Sequence, residues 1–136
     1  MSASAESVAQ AFVQAINAHD IDALVELMSD DHVFIDSLGN STRGKETMRK
    51  GWESYFRMVP DYTLAIDETY SMGDVAIMVG TAYGTYTTDG KLVPDNRWTT
   101  PAVLRATVDG GKVKEWHVYA DNEPIRQLIS KNRVQP

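Results

Sequence analysis

The feature that most constrains this chain is a change of hydrophobic period at Pro60. Before it, Val8, Ala11, Phe12, Ala15 and Ile16 fall at i, i+3, i+4, i+7 and i+8, the stripe of an amphipathic helix with one buried face. Ser4 is placed to cap that helix. Asp20 is placed to cap a second, whose inward face is Ile21, Leu24, Val25 and Met28 and which Ser29-Asp30-Asp31 closes. A short apolar strand, His32 to Asp36, precedes a polar loop, Ser37 to Arg43. Gly44 then opens a third helix through Met48, Trp52, Tyr55 and Phe56, which Pro60-Asp61 stops.

After Pro60 the period becomes two. Tyr62 to Asp67 alternates, and Val75 to Thr87 is a long run rich in Val, Ile, Tyr and Thr. Asp89-Gly90 is a hairpin signal, Arg97 to Val108 a further strand bent at Pro101, Asp109-Gly110-Gly111 a second turn, and Val113 to Ala120 the last strand. Pro124 opens a short C-terminal helix, Ile125 to Lys131, and the tail 132–136 is expected to fray. Three helices followed by a strand meander predict an α+β chain, with helices on one face of a curved antiparallel sheet.

The length of 136 residues suits one domain spanning 1–136, since domains run to roughly 100–200 residues. With no cysteine there are no disulfides or thiolate metal sites, which fits a reducing cytoplasm. A net charge of −6 with no basic cluster argues against nucleic acid and anionic membrane surfaces. No apolar run reaches the roughly 20 residues of a membrane span, and Met1 to Phe12 has no signal-peptide pattern. His19, His32 and His117 lack metal-ligand spacing. No phosphate-binding glycine loop or nucleophile motif occurs. The expectation is no metal and no cofactor.

Three stretches carry a family resemblance: Ile16-Asn17-Ala18-His19-Asp20-Ile21-Asp22-Ala23-Leu24, Met28 to Val33, and Arg43-Gly44-Lys45-Glu46. Gly110 to Trp116 adds to them. Across nearly its whole length the chain resembles the nuclear transport factor two-like superfamily, the ketosteroid isomerase-like and SnoaL-like proteins. The resemblance implies a cone-shaped α+β barrel, a cavity, and a homodimer through the outer sheet face, which bears Val103 and Tyr119. It leaves the reaction open, because the superfamily includes isomerases, cyclases, epoxide hydrolases, dehydratases and proteins without chemistry.

Asp36 interrupts the apolar run Val33-Phe34-Ile35 and aligns with the family's general-base aspartate. Held in an apolar pocket, such a carboxylate is a usable proton carrier. At a solvated strand end it would instead accept hydrogen bonds from loop amides around Leu38-Gly39-Asn40. The isomerase oxyanion donors are not reproduced: Phe12 and Ala102 stand where the family has tyrosine and a protonated aspartate. Thr81, Tyr83 and Val118 stand where the epoxide hydrolases carry charged groups. Both mechanisms are therefore disfavoured.

If the family register holds, Phe12, Trp52, Tyr55, Thr81, Tyr83, Trp98, Thr100 and Trp116 line the cavity, as an aromatic site for a small apolar molecule would require. His117 and Asp121 remain open. Either could reach the cavity as a second acid or base. Alternatively this parity faces solvent or a partner subunit, and Asp121 caps the last helix. Two functions follow. One is a cofactor-independent isomerase, cyclase or dehydratase using Asp36 on a small apolar carbonyl compound. The other is a non-catalytic ligand-binding or dimeric interaction module.

Overall fold

The computed structural model describes residues 4–133. Four helices, α1 (Ala5–Asn17), α2 (Ile21–Glu26), α3 (Lys45–Met58) and α4 (Glu123–Arg133), accompany six strands: β1 (Met28–Ile35), β2 (Ser41–Arg43), β3 (Thr63–Met72), β4 (Val75–Thr85), β5 (Arg97–Asp109) and β6 (Lys112–Ala120). The strands form one curved sheet in the order β2-β1-β6-β5-β4-β3. The sheet does not close: β2 and β3 are its edges. The α+β class is as expected, with two corrections. The cone is an open sheet rather than a closed barrel. The sheet is also mixed, because β1 runs parallel to β6.

The helix starts follow from their caps. The Ser4 side chain accepts from Ser7 N–H at 3.1 Å and Asp20 from Ala23 N–H at 3.1 Å, each satisfying an otherwise orphaned first-turn donor. The apolar stripe of α1 is buried on the concave side of the sheet, with Phe12 and Ile16 fully covered. Each such side chain contributes roughly 1.5–3 kcal/mol of hydrophobic stabilisation.

β1 begins at Met28, four residues before the expected His32. Met28 belongs to β1 rather than to α2. It pairs with Val113 and is buried, while Asp30 and Asp31 point to solvent. A register shift between Met28 and Val33 lets the acidic pair sit in a strand. The loop expected from Ser37 to Arg43 ends in β2, which pairs Ser41 to Arg43 with Val33 to Ile35. Asp89-Gly90 does not make a two-residue hairpin. β4 stops at Thr85, and the chain makes an excursion through one 3-10 turn, Pro94–Asn96, before β5. Asp109 to Lys112 is the tight turn expected, with Gly110 and Gly111 at φ of 59° and 79°. α4 extends to Arg133, so Asn132 and Arg133, expected in a frayed tail, are helical, and the rest of that tail, Val134 to Pro136, lies outside the described residues.

Candidate functional site

A cavity of about 420 Å³ opens between the concave face of the sheet and α3. The face of α3 bearing Met48, Trp52 and Tyr55 forms one wall, and Phe34 of β1, Leu104 of β5, and Trp116 and Val118 of β6 form the other. Tyr62, from the α3–β3 connection, completes the apolar lining. The polar groups on the cavity are Asp36, Ser37, Thr42, Thr47 and Asn122, besides the two phenols. Period-two geometry explains Asp36: it follows Ile35 in the same parity as Phe34. Both thus line the same space.

Asp36 is the only carboxylate on the cavity among the described residues. It also closes the β1–β2 loop. Its Oδ1 accepts from Leu38 N–H and Asn40 N–H, both at 2.9 Å, and its Oδ2 accepts from Asn40 Nδ2 at 3.4 Å. The loop-amide hydrogen bonds expected of a strand-end carboxylate are present, and they hold it at the cavity edge. Beside it, Asn122 Nδ2 donates to Ser37 Oγ at 2.6 Å, tying the end of β6 to the same loop.

Tyr55 and Tyr62 meet edge to face, with ring centroids 4.9 Å apart. Burial pushes both phenols well above their ordinary pKa, and for Tyr62 the neighbouring Tyr55 adds to the rise. Both remain protonated through the physiological range.

Of the residues expected at the site, Asp36, Trp52, Tyr55 and Trp116 line the cavity. Phe12 does not; it lies fully buried behind the wall, 4.5 Å from the Trp116 ring and 6.4 Å from that of Trp52. Trp98 is buried beside Tyr62, with ring centroids 6.1 Å apart. Thr100 uses its hydroxyl to donate to the Asp121 carbonyl at 2.8 Å, closing the β6–α4 corner.

Thr81 and Tyr83 take the opposite parity from that expected and face outward. The buried residues of β4 are Ala76, Met78, Gly80, Ala82 and Gly84, with Thr85 at its end. Small residues hold that face because the chain crosses closely over it: a Cβ on Gly80 would lie 2.0 Å from the Ala65 carbonyl oxygen, and one on Gly84 2.4 Å from Val59 Cγ1. His117 also faces outward, stacked on Tyr119 at 4.1 Å, with Nδ1 accepting from Tyr119 Oη at 3.1 Å and Arg105 at 3.3 Å. Asp121 is exposed, and its Oδ1 accepts from Glu123 N–H at 2.9 Å at the start of α4.

Sequence reasoning missed Ser37, Thr42, Tyr62 and Asn122. Ser37, Tyr62 and Asn122 lie just beyond element ends and Thr42 in a three-residue strand, where periodicity carries no orientation. Met48 and Gly51 were readable from their i, i+4 relation to Trp52 and Tyr55, and Thr47 from its i, i+4 relation to Gly51. No three His, Asp or Glu side chains among the described residues gather as a metal site. No described helix is long and apolar enough to cross a membrane.

The fold and cavity define a class, and comparison with known proteins agrees. The SnoaL-like domain model matches residues 9–116, and the chain belongs to that family. A search of curated proteins finds no match. Among solved structures, a candidate SnoaL-like polyketide cyclase from Shewanella denitrificans is similar at a TM-score of 0.79 and 16% identity, with 93% of this chain and 97% of that one covered. A Mycobacterium tuberculosis epoxide hydrolase of the LEH-like type aligns at 0.76 and 18% identity, covering 96% and 92%. A Catenulispora acidiphila protein with a ketosteroid isomerase-like fold, crystallised with trimethylamine, aligns at 0.71 and 18%, covering 82% and 83%. At these identities the likeness is one of fold, the NTF2-like fold.

Proposed function

We propose that this protein binds a small, largely apolar carbonyl compound in the α3–sheet cavity. It acts there as a cofactor-independent enzyme of the isomerase, cyclase or dehydratase type. One observation carries the reading: among the described residues a single carboxylate, Asp36, lies on a cavity whose walls are mainly apolar, with Phe34, Met48, Trp52, Leu104 and Trp116 beside a few hydroxyls and the Asn122 amide. A lone carboxylate in such surroundings suits proton transfer to or from carbon, while aromatic walls desolvate the substrate. Asp36 is the general acid/base. His117 and Asp121 are assigned no part in the chemistry. We take residues 1–136 as one domain working in the cytoplasm as a homodimer joined through the outer sheet face. The test is a panel of small cyclic ketones and β-hydroxyketones. Asp36→Asn is expected to keep binding them and to lose ~10²–10⁴-fold in turnover; unchanged turnover would sink the assignment.

The hydrogen bonds from Leu38 and Asn40 to Asp36 favour a second reading, a non-catalytic binding module in which the carboxylate serves only the loop. It predicts that Asp36→Asn loosens the β1–β2 loop and changes no reaction.

A further inference from the structure

We infer that Tyr55 and Tyr62 form a paired hydrogen-bond donor that grips the carbonyl oxygen of the compound bound in the cavity. The inference rests on the reading of the cavity as a site for carbonyl compounds and names the part of it that recognises oxygen.

Both rings line the cavity, one from α3 and one from the connection that follows it. Among the described residues neither phenol hydroxyl has a hydrogen-bond partner in the protein. The tyrosine side chain that does have such partners, apart from Tyr70, is Tyr119, far around on the outer face. Nor are the two hydroxyls sealed in: the buried side-chain atoms left without a partner are His32 Nε2, Trp52 Nε1 and Trp98 Nε1. The two phenol oxygens therefore open onto accessible space, and the cavity is the space they line. Each hydroxyl is thus free to donate to a molecule in the cavity.

Of the other polar groups on the cavity, Asp36, when ionised, can only accept, and Asn122 Nδ2 already donates to Ser37 Oγ at 2.6 Å. Ser37, Thr42 and Thr47 offer hydroxyls from separate places on the wall, whereas the two phenol rings are neighbours, with centroids 4.9 Å apart. The phenols stay protonated because burial raises their pKa. They therefore present O–H donors wherever the protein is folded near neutral pH. Their position is held from outside the cavity. His19 Nε2–H donates to the Tyr62 carbonyl at 2.8 Å while its ring stacks on Phe56 at 4.0 Å. His19 does this from a left-handed backbone, φ 53°, a conformation that a non-glycine residue adopts at some cost. Donor pair and acceptor carboxylate thus come from different elements, as polarising a carbonyl while moving a proton nearby requires.

The probes are 1-tetralone and its oxygen-free counterpart tetralin, titrated against the full chain and against Tyr55→Phe/Tyr62→Phe. The double variant is expected to lose about tenfold in affinity for 1-tetralone and to bind tetralin as the parent does. Equal effects on both probes, or none, would overturn the donor pair while leaving the cavity reading intact. Failure of the parent chain to bind either probe would overturn both. Should the double variant not fold, the carbonyl stretch of 1-tetralone bound to the parent chain decides. A band at or below its aqueous frequency supports the donor pair, and a band at its frequency in hexane refutes it.

Discussion

At the scale of single residues, His32 shows how burial creates a pH dependence. The ring is fully buried, Nδ1–H donates to the Val113 carbonyl at 2.7 Å, and Nε2 has no partner. Desolvation lowers its pKa below the ordinary 6.5, outweighing the bond to Val113. The unfolded chain therefore binds a proton that the folded chain does not, and stability falls as pH drops below 6.5. A thermal melt series from pH 7.5 to 5 is expected to show this decline, and His32→Gln to flatten it. An unchanged slope in the variant would mean the decline has another source. The sequence placed His32 on a strand but gave no sign of its burial, since its partner is a carbonyl 81 residues away.

Among the elements, β4 carries the clearest lesson. Its strand character was legible from Val, Ile, Tyr and Thr, but its parity was not. The family register put Thr81 and Tyr83 on the cavity side, whereas the core face is Ala76, Met78, Gly80, Ala82 and Gly84. The irregularity between Ile66 and Glu68 folds β3 over Gly80, and only glycine tolerates that approach. Because the obstruction at Gly80 is backbone and that at Gly84 is the Val59 side chain, Gly80→Ala is expected to cost more than Gly84→Ala. Overpacking of this kind costs about 1–3 kcal/mol, measurable by urea unfolding. The reverse order would contradict the register described here. α1 and α3 were read correctly because each has one continuous apolar face and one polar face. That single period also explains why Trp52 and Tyr55 were found, and why Tyr62 and Asn122, beyond the element ends, were not.

For the whole molecule, the convex face of the sheet matters most. The register sets Glu68, Val79, Val103 and Tyr119 in one row and Tyr70, Ile77, Arg105, His117 and Ile35 in the next. Tyr119 is 45% and Tyr70 57% exposed. This is more apolar surface than a single sheet face in water needs. Two copies apposed through it would bury it with two-fold symmetry. Sedimentation is expected to give twice the chain mass, and Val103→Glu/Tyr119→Glu the single mass without loss of fold. A parent chain of single mass would refute the dimer. The fold itself was legible because helices precede strands with a sharp boundary at Pro60. The parallel pairing of β1 with β6 was not, since nothing local in β1 names its neighbour.

Proton transfer by Asp36 within the cavity is tested most directly by exchange of the α-hydrogens of 1-tetralone in heavy water, followed by NMR. The parent chain is expected to accelerate exchange over buffer, and Asp36→Asn to reduce that acceleration by ~10²–10⁴-fold while still binding the ketone. Equal acceleration by both proteins, or none by either when the ketone is bound, would contradict it and leave the cavity as a binding site alone.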